Sequence, residues 1–233
     1  MTEATLTTAN AMSGSVYGRE LSPAEIEAKA HRDLVGGLWD EVGALQIEFL
    51  RARGLAPGDR LLDVGCGALR GGVHFVRYLE PGHYYGLDIN ASLIEAGRRE
   101  LTDAGLGERD AQLLVDDRFA ASRFGVSFDA ALAVSVFTHL PANAIVRCLV
   151  EVARVLKPGA RFFASWFEAP APAWLEPVTH PRGGIVSHYD ADPYHYATAE
   201  LSWMAGLARL RVENLGDWAH PRGQHMAAFV RDE

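Results

Sequence analysis

Apolar positions along the chain change period several times, and each change marks an element. Leu38, Val42, Leu45, Phe49 and Leu50 fall on one face at helical spacing, which predicts a helix from about Leu38 to Arg53, stopped by Gly54 and Pro57-Gly58. Upstream, Ser22, Pro23 and Glu25 bring together a cap, a proline and an acid, the chemistry of a helix start. Arg60 to Val64 then reads as a short buried strand. The pattern goes on as helix 71–79, strand 84–87, helix 91–104 closing at Gly105, strands 111–115 and 129–135, helix 141–156 and strand 160–166. In helix 141–156 the stripe is Ile145, Leu149, Val152 and Leu156, and Lys157-Pro158-Gly159 ends it. Buried strands alternating with amphipathic helices predict an α/β fold, a mostly parallel sheet covered on both faces.

Beyond Trp166 the rhythm breaks. Residues 168–197 collect prolines, glycines, aromatics and histidines, and a long irregular stretch inside a domain is usually functional or mobile. Helix 198–208 follows, then strand-like runs 209–215 and 224–230 joined by the turn His220-Pro221-Arg222-Gly223. The expected organisation is a mobile tail over 1–20 and a single domain over 21–233. Within that domain, 21–55 form lid helices and 168–197 form a substrate-side insertion.

Composition narrows the partners. The 233 residues carry a formal charge of −8 and no basic run longer than Arg98-Arg99, so a nucleic acid is not expected as partner. Only Cys66 and Cys148 are present, which fits a reducing cytoplasm and offers neither a disulfide framework nor a zinc set. The first residues, rich in Thr, Ser and Ala, lack the basic start and apolar centre of a secretion signal, and no apolar run has the length of a membrane span. Oligomeric state is left open.

The candidate chemistry lies at Asp63-Val64-Gly65-Cys66-Gly67, where the first strand turns into a helix. Glycines there let backbone approach a ligand, and the helix start presents free N–H groups; a tight turn with no ligand is the plainer alternative. The dinucleotide fingerprint fails, because position 70 is Arg and the next glycine is Gly71. Asp63 inside the turn is poorly placed for a pyrophosphate, whereas Asp88 closes the second strand, where a carboxylate accepts hydrogen bonds from ribose hydroxyls. These features point to a nucleoside with a cationic or zwitterionic tail.

The segment LLDVGCGALRGGVHFVRYLEPGHYYGLDIN resembles the first glycine motif and the following acidic motif of class I S-adenosylmethionine-dependent methyltransferases. FDAALAVSVFTHLP resembles their fourth-strand motif, and EVARVLKPGARFFASWF the helix, turn and fifth strand after it, so the likeness covers roughly residues 38–167. The departure is Ala68-Leu69-Arg70-Gly71-Gly72, with Arg70 either structural or near the methionine carboxylate. The resemblance implies a Rossmann-like seven-stranded sheet with an antiparallel last strand, S-adenosyl-L-methionine as cofactor and a small-molecule acceptor methylated on oxygen or nitrogen. It implies that the Gly65-Cys66-Gly67 backbone faces the methionine and ribose, Asp88 the ribose and Ile89 the adenine. Asp116 or, preferred, Asp117 would approach the adenine amino group, while Ser135 and Phe137 wall the sulfonium.

Methyl transfer is an in-line displacement at an activated carbon, so holding the reactants is the main task and a base is needed only where the acceptor loses a proton. His139, at the end of the fourth strand, is the candidate base; a helix-capping or wall role is the alternative. His188-Tyr189-Asp190-Ala191-Asp192-Pro193-Tyr194-His195 has the residue types of a metal site, but a substrate-facing loop is preferred and no metal is assigned. Among Trp39, Tyr17, Trp166, Trp174, Tyr189 and Tyr194, Tyr17 and Trp166 are expected to touch substrate, together with His188. A non-methylating enzyme, or a protein that senses S-adenosylmethionine or supports a partner enzyme, is the alternative reading, because fold does not fix function.

Overall fold

A computed structural model describes residues 18–170 and 175–231. The expected alternation is present. Helix α1 (Pro23–Glu27) starts at Ser22, whose hydroxyl accepts the Glu25 N–H while the Glu25 carboxylate accepts the Ser22 N–H, a closed capping box. It is short. Lys29 takes a left-handed φ of 58° and the chain restarts as α2 (His31–Leu34). Helix α3 (Trp39–Ala52) leads to β1 (Leu61–Val64), and then come α4 (Gly72–Tyr78), β2 (Tyr84–Asp88), α5 (Ala91–Asp103), β3 (Gln112–Val115) and β4 (Phe128–Ala133). Helix α6 (Ala142–Val155) runs straight into β5 (Leu156–Glu168). The Lys157-Pro158-Gly159 turn expected to precede that strand is therefore part of it: Leu156 is already extended and paired with Phe128, and the register with β4 shifts there.

The sheet order is β3-β2-β1-β4-β5-β10-β9, with β9 (Leu210–Asp217) and β10 (His225–Arg231) following α7 (Thr198–Leu207). The pairs β1–β2, β1–β4, β2–β3 and β4–β5 are parallel, and β10 lies antiparallel between β5 and β9. This is the mostly parallel α/β sheet with an antiparallel last strand that the pattern and the resemblance implied. Between β1 and β4 the order reverses, and open α/β sheets bind ligands outside the carboxyl ends of strands at that switch.

Both faces are covered, which explains why β1 and β2 are buried at every position. One apolar layer gathers α6 residues Ile145, Cys148, Leu149 and Val152 with Phe137, Phe162 and Phe229; the other gathers Leu50, Phe75, Tyr84 and Phe163. Cys148 is a core residue, its thiol pushed far up by burial. Among the described residues no helix is long and apolar enough to cross a membrane.

The 168–197 stretch holds more structure than its composition suggested. Val178–Thr179 (β6) and Val186–Ser187 (β7) form a small hairpin, and His195–Tyr196 (β8) pairs parallel with Phe167 and Glu168 of β5. The segment thus folds back onto the carboxyl end of the central sheet.

Candidate functional site

The turn after β1 is shaped by its glycines. Gly65 has φ +68° and lies so close to Val136 that an added Cβ would stand 2.5 Å from Val136 Cγ2. Only glycine fits both that conformation and that gap. The Gly65 and Cys66 N–H groups donate to Leu87 O at 2.8 and 3.1 Å, which ties the turn to β2. Asp88 completes the brace: Oδ2 accepts the Gly67 N–H and Oδ1 the Asn90 N–H, both at 2.9 Å. A carboxylate has about four lone-pair sites, so these bonds leave it acceptor capacity. Burial raises the Asp88 carboxyl above its usual range, opposed by the Asn90, Gly67 and Ile89 amides. Asp63, also buried, is pushed up to about 7 by desolvation, although the Tyr84 hydroxyl donating to Oδ2 at 2.7 Å pulls it down.

These groups open on one cavity of about 360 Å³, the size range of small-molecule sites. Asp63, Gly65, Cys66, Gly67, Asp88, Ile89, Asp116, Asp117, Ser135 and His139 all line it, brought together from the ends of four neighbouring strands. Asp116 is held by three contacts: Oδ1 accepts the Arg118 and Ala120 N–H groups, and Oδ2 meets Arg123 at 3.0 Å. Asp117 is exposed beside it. Ser135 takes φ +60°, donates its N–H to Ser165 Oγ at 2.8 Å and joins Gln224 in a hydrogen-bonded cluster.

Other expectations are corrected. Trp166 is completely buried, with its indole N–H donating to Tyr196 O at 3.0 Å, and does not line the cavity. Phe137 is likewise in the core against Phe162 and Phe229, because the chain after Ser135 enters a 3-10 turn (Phe137–His139) that points the ring inward; Val136 lines the cavity instead. His188 is half-buried in the insertion, its backbone N–H bonded to Pro193 O, away from the cavity lining. Trp39 packs beside His31 and Arg32. Tyr17 and Trp174 lie outside the described residues. The histidines and acids of 188–195 diverge: His195 is buried on Ser187, while Asp192 turns to His139, and no group of at least three His, Cys, Asp or Glu suited to a metal ion exists among the described residues.

Several contributors were not anticipated. Arg70, the departure noted in the glycine turn, donates to the Val35 and Gly37 carbonyls at 3.0 Å each, ties down the loop before α3, and also lines the cavity. The N-terminal helices are fastened rather than loose: Arg32 grips Glu100 through two bonds of 2.8 Å and His31 adds a third at 2.8 Å. Asn143 and Arg147, one turn apart on α6, complete the far wall. Their spacing was visible, but nothing in the sequence says which face of α6 overhangs the sheet edge.

Comparison with known proteins agrees with this geometry. A sequence profile described as a methyltransferase domain matches residues 62–162. A ubiquinone biosynthesis O-methyltransferase from Hahella chejuensis is 30% identical over 149 residues, covering 60% of each chain. A fatty-acid O-methyltransferase from Mycolicibacterium smegmatis is 36% identical over 129 residues, 53% of this chain and 43% of that protein. The chain therefore spans less than two thirds of these relatives' length. In fold it is similar to the CcbJ methyltransferase of Streptomyces caelestis, with a TM-score of 0.68 at 16% identity over 94% of this chain and 98% of that one. Magnesium protoporphyrin IX methyltransferase from Synechocystis PCC 6803, solved with bound S-adenosylmethionine, gives 0.61 at 15% identity, covering 94% and 88%. Residues 62–162 thus match a methyltransferase domain, and the sheet order belongs to a fold shared with these solved methyltransferases.

Proposed function

We propose that the protein transfers a methyl group from S-adenosyl-L-methionine to an oxygen or nitrogen of a small molecule. The observation that carries this reading is the convergence of the glycine turn, Asp88 and His139 on one cavity at the sheet's switch point. The cavity fits the cofactor in size and in chemistry, since two buried carboxylates, Asp63 and Asp88, face a space that a Cβ at Gly65 would disturb. When bound, the cofactor supplies a methyl carbon already activated by a sulfonium.

The chain's own residues then have distinct tasks. Asp88 accepts from the ribose hydroxyls while its other lone pairs hold the turn. The Gly65-Cys66-Gly67 backbone lies along the methionine and ribose part, and Ile89 forms an apolar wall for the adenine. Asp117 takes the adenine amino group, because Asp116 is spent on its own turn and on Arg123. Ser135 stands where the fourth strand ends, fixed by Ser165 and Gln224. Asp63 faces the ammonium of the methionine tail. Val35 and Gln46, from the N-terminal helical region, close one side of the cavity, and Asn143 and Arg147 of α6 another. His139 acts as general base toward the acceptor. The names of the matched relatives favour oxygen as the acceptor atom.

The Asp63 assignment has a pH signature. Its carboxyl, at about 7 in the folded chain against an ordinary 3.8, is neutral in the ligand-free protein below neutrality. A neighbouring cation favours the ionised form. Affinity for S-adenosylhomocysteine, which carries the same ammonium, is therefore expected to climb by up to about tenfold per pH unit below 7 and level off above it. Asp63→Asn should flatten that slope in calorimetric titrations. The ligand-free protein is expected to show the opposite trend, because a carboxyl raised by folding binds its proton more tightly in the native state. Its stability falls as pH rises from about 4 to about 7.

Transfer itself is tested by incubating the full chain with methyl-labelled cofactor and a panel of phenols, alcohols, amines and carboxylic acids. His139→Ala is expected to lower turnover on the order of 10²-fold with S-adenosylhomocysteine affinity kept. Lost cofactor binding in that variant would make His139 a wall residue. Tight cofactor binding with no transfer to any acceptor would instead favour a sensor or partner subunit.

A further inference from the structure

From the contact between His139 and the folded-back insertion, we infer that Asp192 is the positioning partner of His139, and that the pair fits the site for a neutral hydroxyl acceptor, a phenol or an alcohol. This inference rests on the methyltransferase reading above. His139 Nδ1 and Asp192 Oδ1 stand 2.5 Å apart, with side chains 19% and 33% exposed, so the contact is open to solvent on the Asp192 side. His139 lines the cavity, while Asp192 belongs to the insertion, 53 residues further along the chain.

The contact is not needed to dock the insertion. The Tyr194 N–H donates to Thr138 O at 2.7 Å and the Tyr196 hydroxyl to Leu140 O at 2.6 Å, so residues on either side of His139 are already held. Behind them the buried Ser187 Oγ bridges His180 Nε2 at 2.7 Å and His195 Nδ1 at 3.0 Å, and the His188 N–H bonds Pro193 O at 2.8 Å. The segment that presents Asp192 is therefore stiff, and a stiff carboxylate on one ring nitrogen selects a tautomer. With Nδ1–H donated to Asp192, Nε2 carries the lone pair.

That tautomer is useful for one class of acceptor. A weakly basic aromatic amine attacks with a lone pair it already has, and a carboxylic acid is ionised at neutral pH, so neither requires a base for the attack. A phenol or alcohol must lose its proton. His139 Nε2 takes that proton as the oxygen's electron pair forms the bond to the donated methyl and the carbon–sulfur pair returns to sulfur. The imidazolium that results lies against the Asp192 carboxylate, which offsets its charge, and later releases the proton to water.

The test reads the ring directly, without depending on turnover. Nitrogen-15 spectra of the full chain, free and saturated with S-adenosylhomocysteine, give the tautomer of neutral His139, assigned by its absence in His139→Gln. Wild type is expected to show Nδ1–H with bare Nε2, and Asp192→Ala a shift toward Nε2–H with cofactor affinity within about twofold. In the labelled-methyl panel, Asp192→Asn is expected to slow transfer to hydroxyl acceptors on the order of 10²-fold with KM little changed. An Nε2–H tautomer in wild type, an unchanged ring in Asp192→Ala, transfer confined to aromatic amines or carboxylic acids, or loss of cofactor binding with Asp192→Ala would each overturn the assignment. Failure of the wild type to bind S-adenosylhomocysteine would sink the underlying reading instead, and the tautomer of the free protein keeps the two outcomes apart.

Discussion

Asp88→Ala is expected to weaken binding of S-adenosylhomocysteine by at least about 10²-fold. The carboxylate has two tasks at once. Its proposed bonds to the ribose hydroxyls are charge-assisted, each worth roughly 1.5–3 kcal/mol, and losing two of them corresponds to a factor of 10² or more in Kd. Its existing bonds hold the Gly67 and Asn90 N–H groups, which truncation leaves buried and without their acceptor. The ligand-free variant should therefore also lose stability, on the order of 1–3 kcal/mol per orphaned donor. Asp88→Asn separates the two: it keeps one oxygen acceptor but turns an amide toward a backbone donor, so affinity falls with a smaller loss of fold. Chemical denaturation beside calorimetry reads both quantities. An Asp88→Ala protein that binds S-adenosylhomocysteine like wild type would remove the ribose assignment.

The other large effect belongs to the turn. Gly65→Ala places a methyl 2.5 Å from Val136 Cγ2 on a backbone with φ +68°. Left-handed backbone costs a non-glycine residue about 1–2 kcal/mol, and the clash adds roughly 1–3 kcal/mol of overpacking. Val136 also lines the cavity, so the displaced side chain moves within the proposed sulfonium region. The expected result is a protein destabilised by roughly 2–5 kcal/mol with cofactor binding lost. Two further variants divide that figure. Gly125→Ala has nearly the same φ, +69°, with nothing within 4 Å of the new methyl, and isolates the backbone part while leaving binding intact. Gly65→Ala combined with Val136→Ala relieves the clash alone and should recover about half of the stability. Equal losses from Gly65→Ala and Gly125→Ala would show that the approach to Val136 is unimportant.

Much of this architecture was legible because parallel strands buried on both faces leave a continuous apolar signature, as at Leu61–Val64 and Tyr84–Asp88. The glycine turn and Asp88 were legible for a related reason: few residue types satisfy a left-handed turn against a neighbouring strand, or a carboxylate that must meet backbone donors. What stayed hidden depends on contacts far apart in sequence. Trp166 and Phe137 look the same in a sequence whether they face a cavity or the core, and the end of a strand allows either. Arg70 reads as a departure from the family's turn until the Val35 and Gly37 carbonyls are seen across from it. Asp192 stood inside a string with metal-ligand residue types, and its partner lies 53 positions away, beyond the reach of any local pattern.

The account as a whole depends on the cavity at the first turn holding an adenosyl compound by its sugar and its charged tail. Isothermal titration of the purified chain with S-adenosylhomocysteine at pH 8 measures that directly. A saturable one-to-one isotherm, abolished or strongly weakened by Asp88→Ala, is the predicted result. An absence of binding heat at several temperatures, with no ligand-induced rise in Tm, would contradict it.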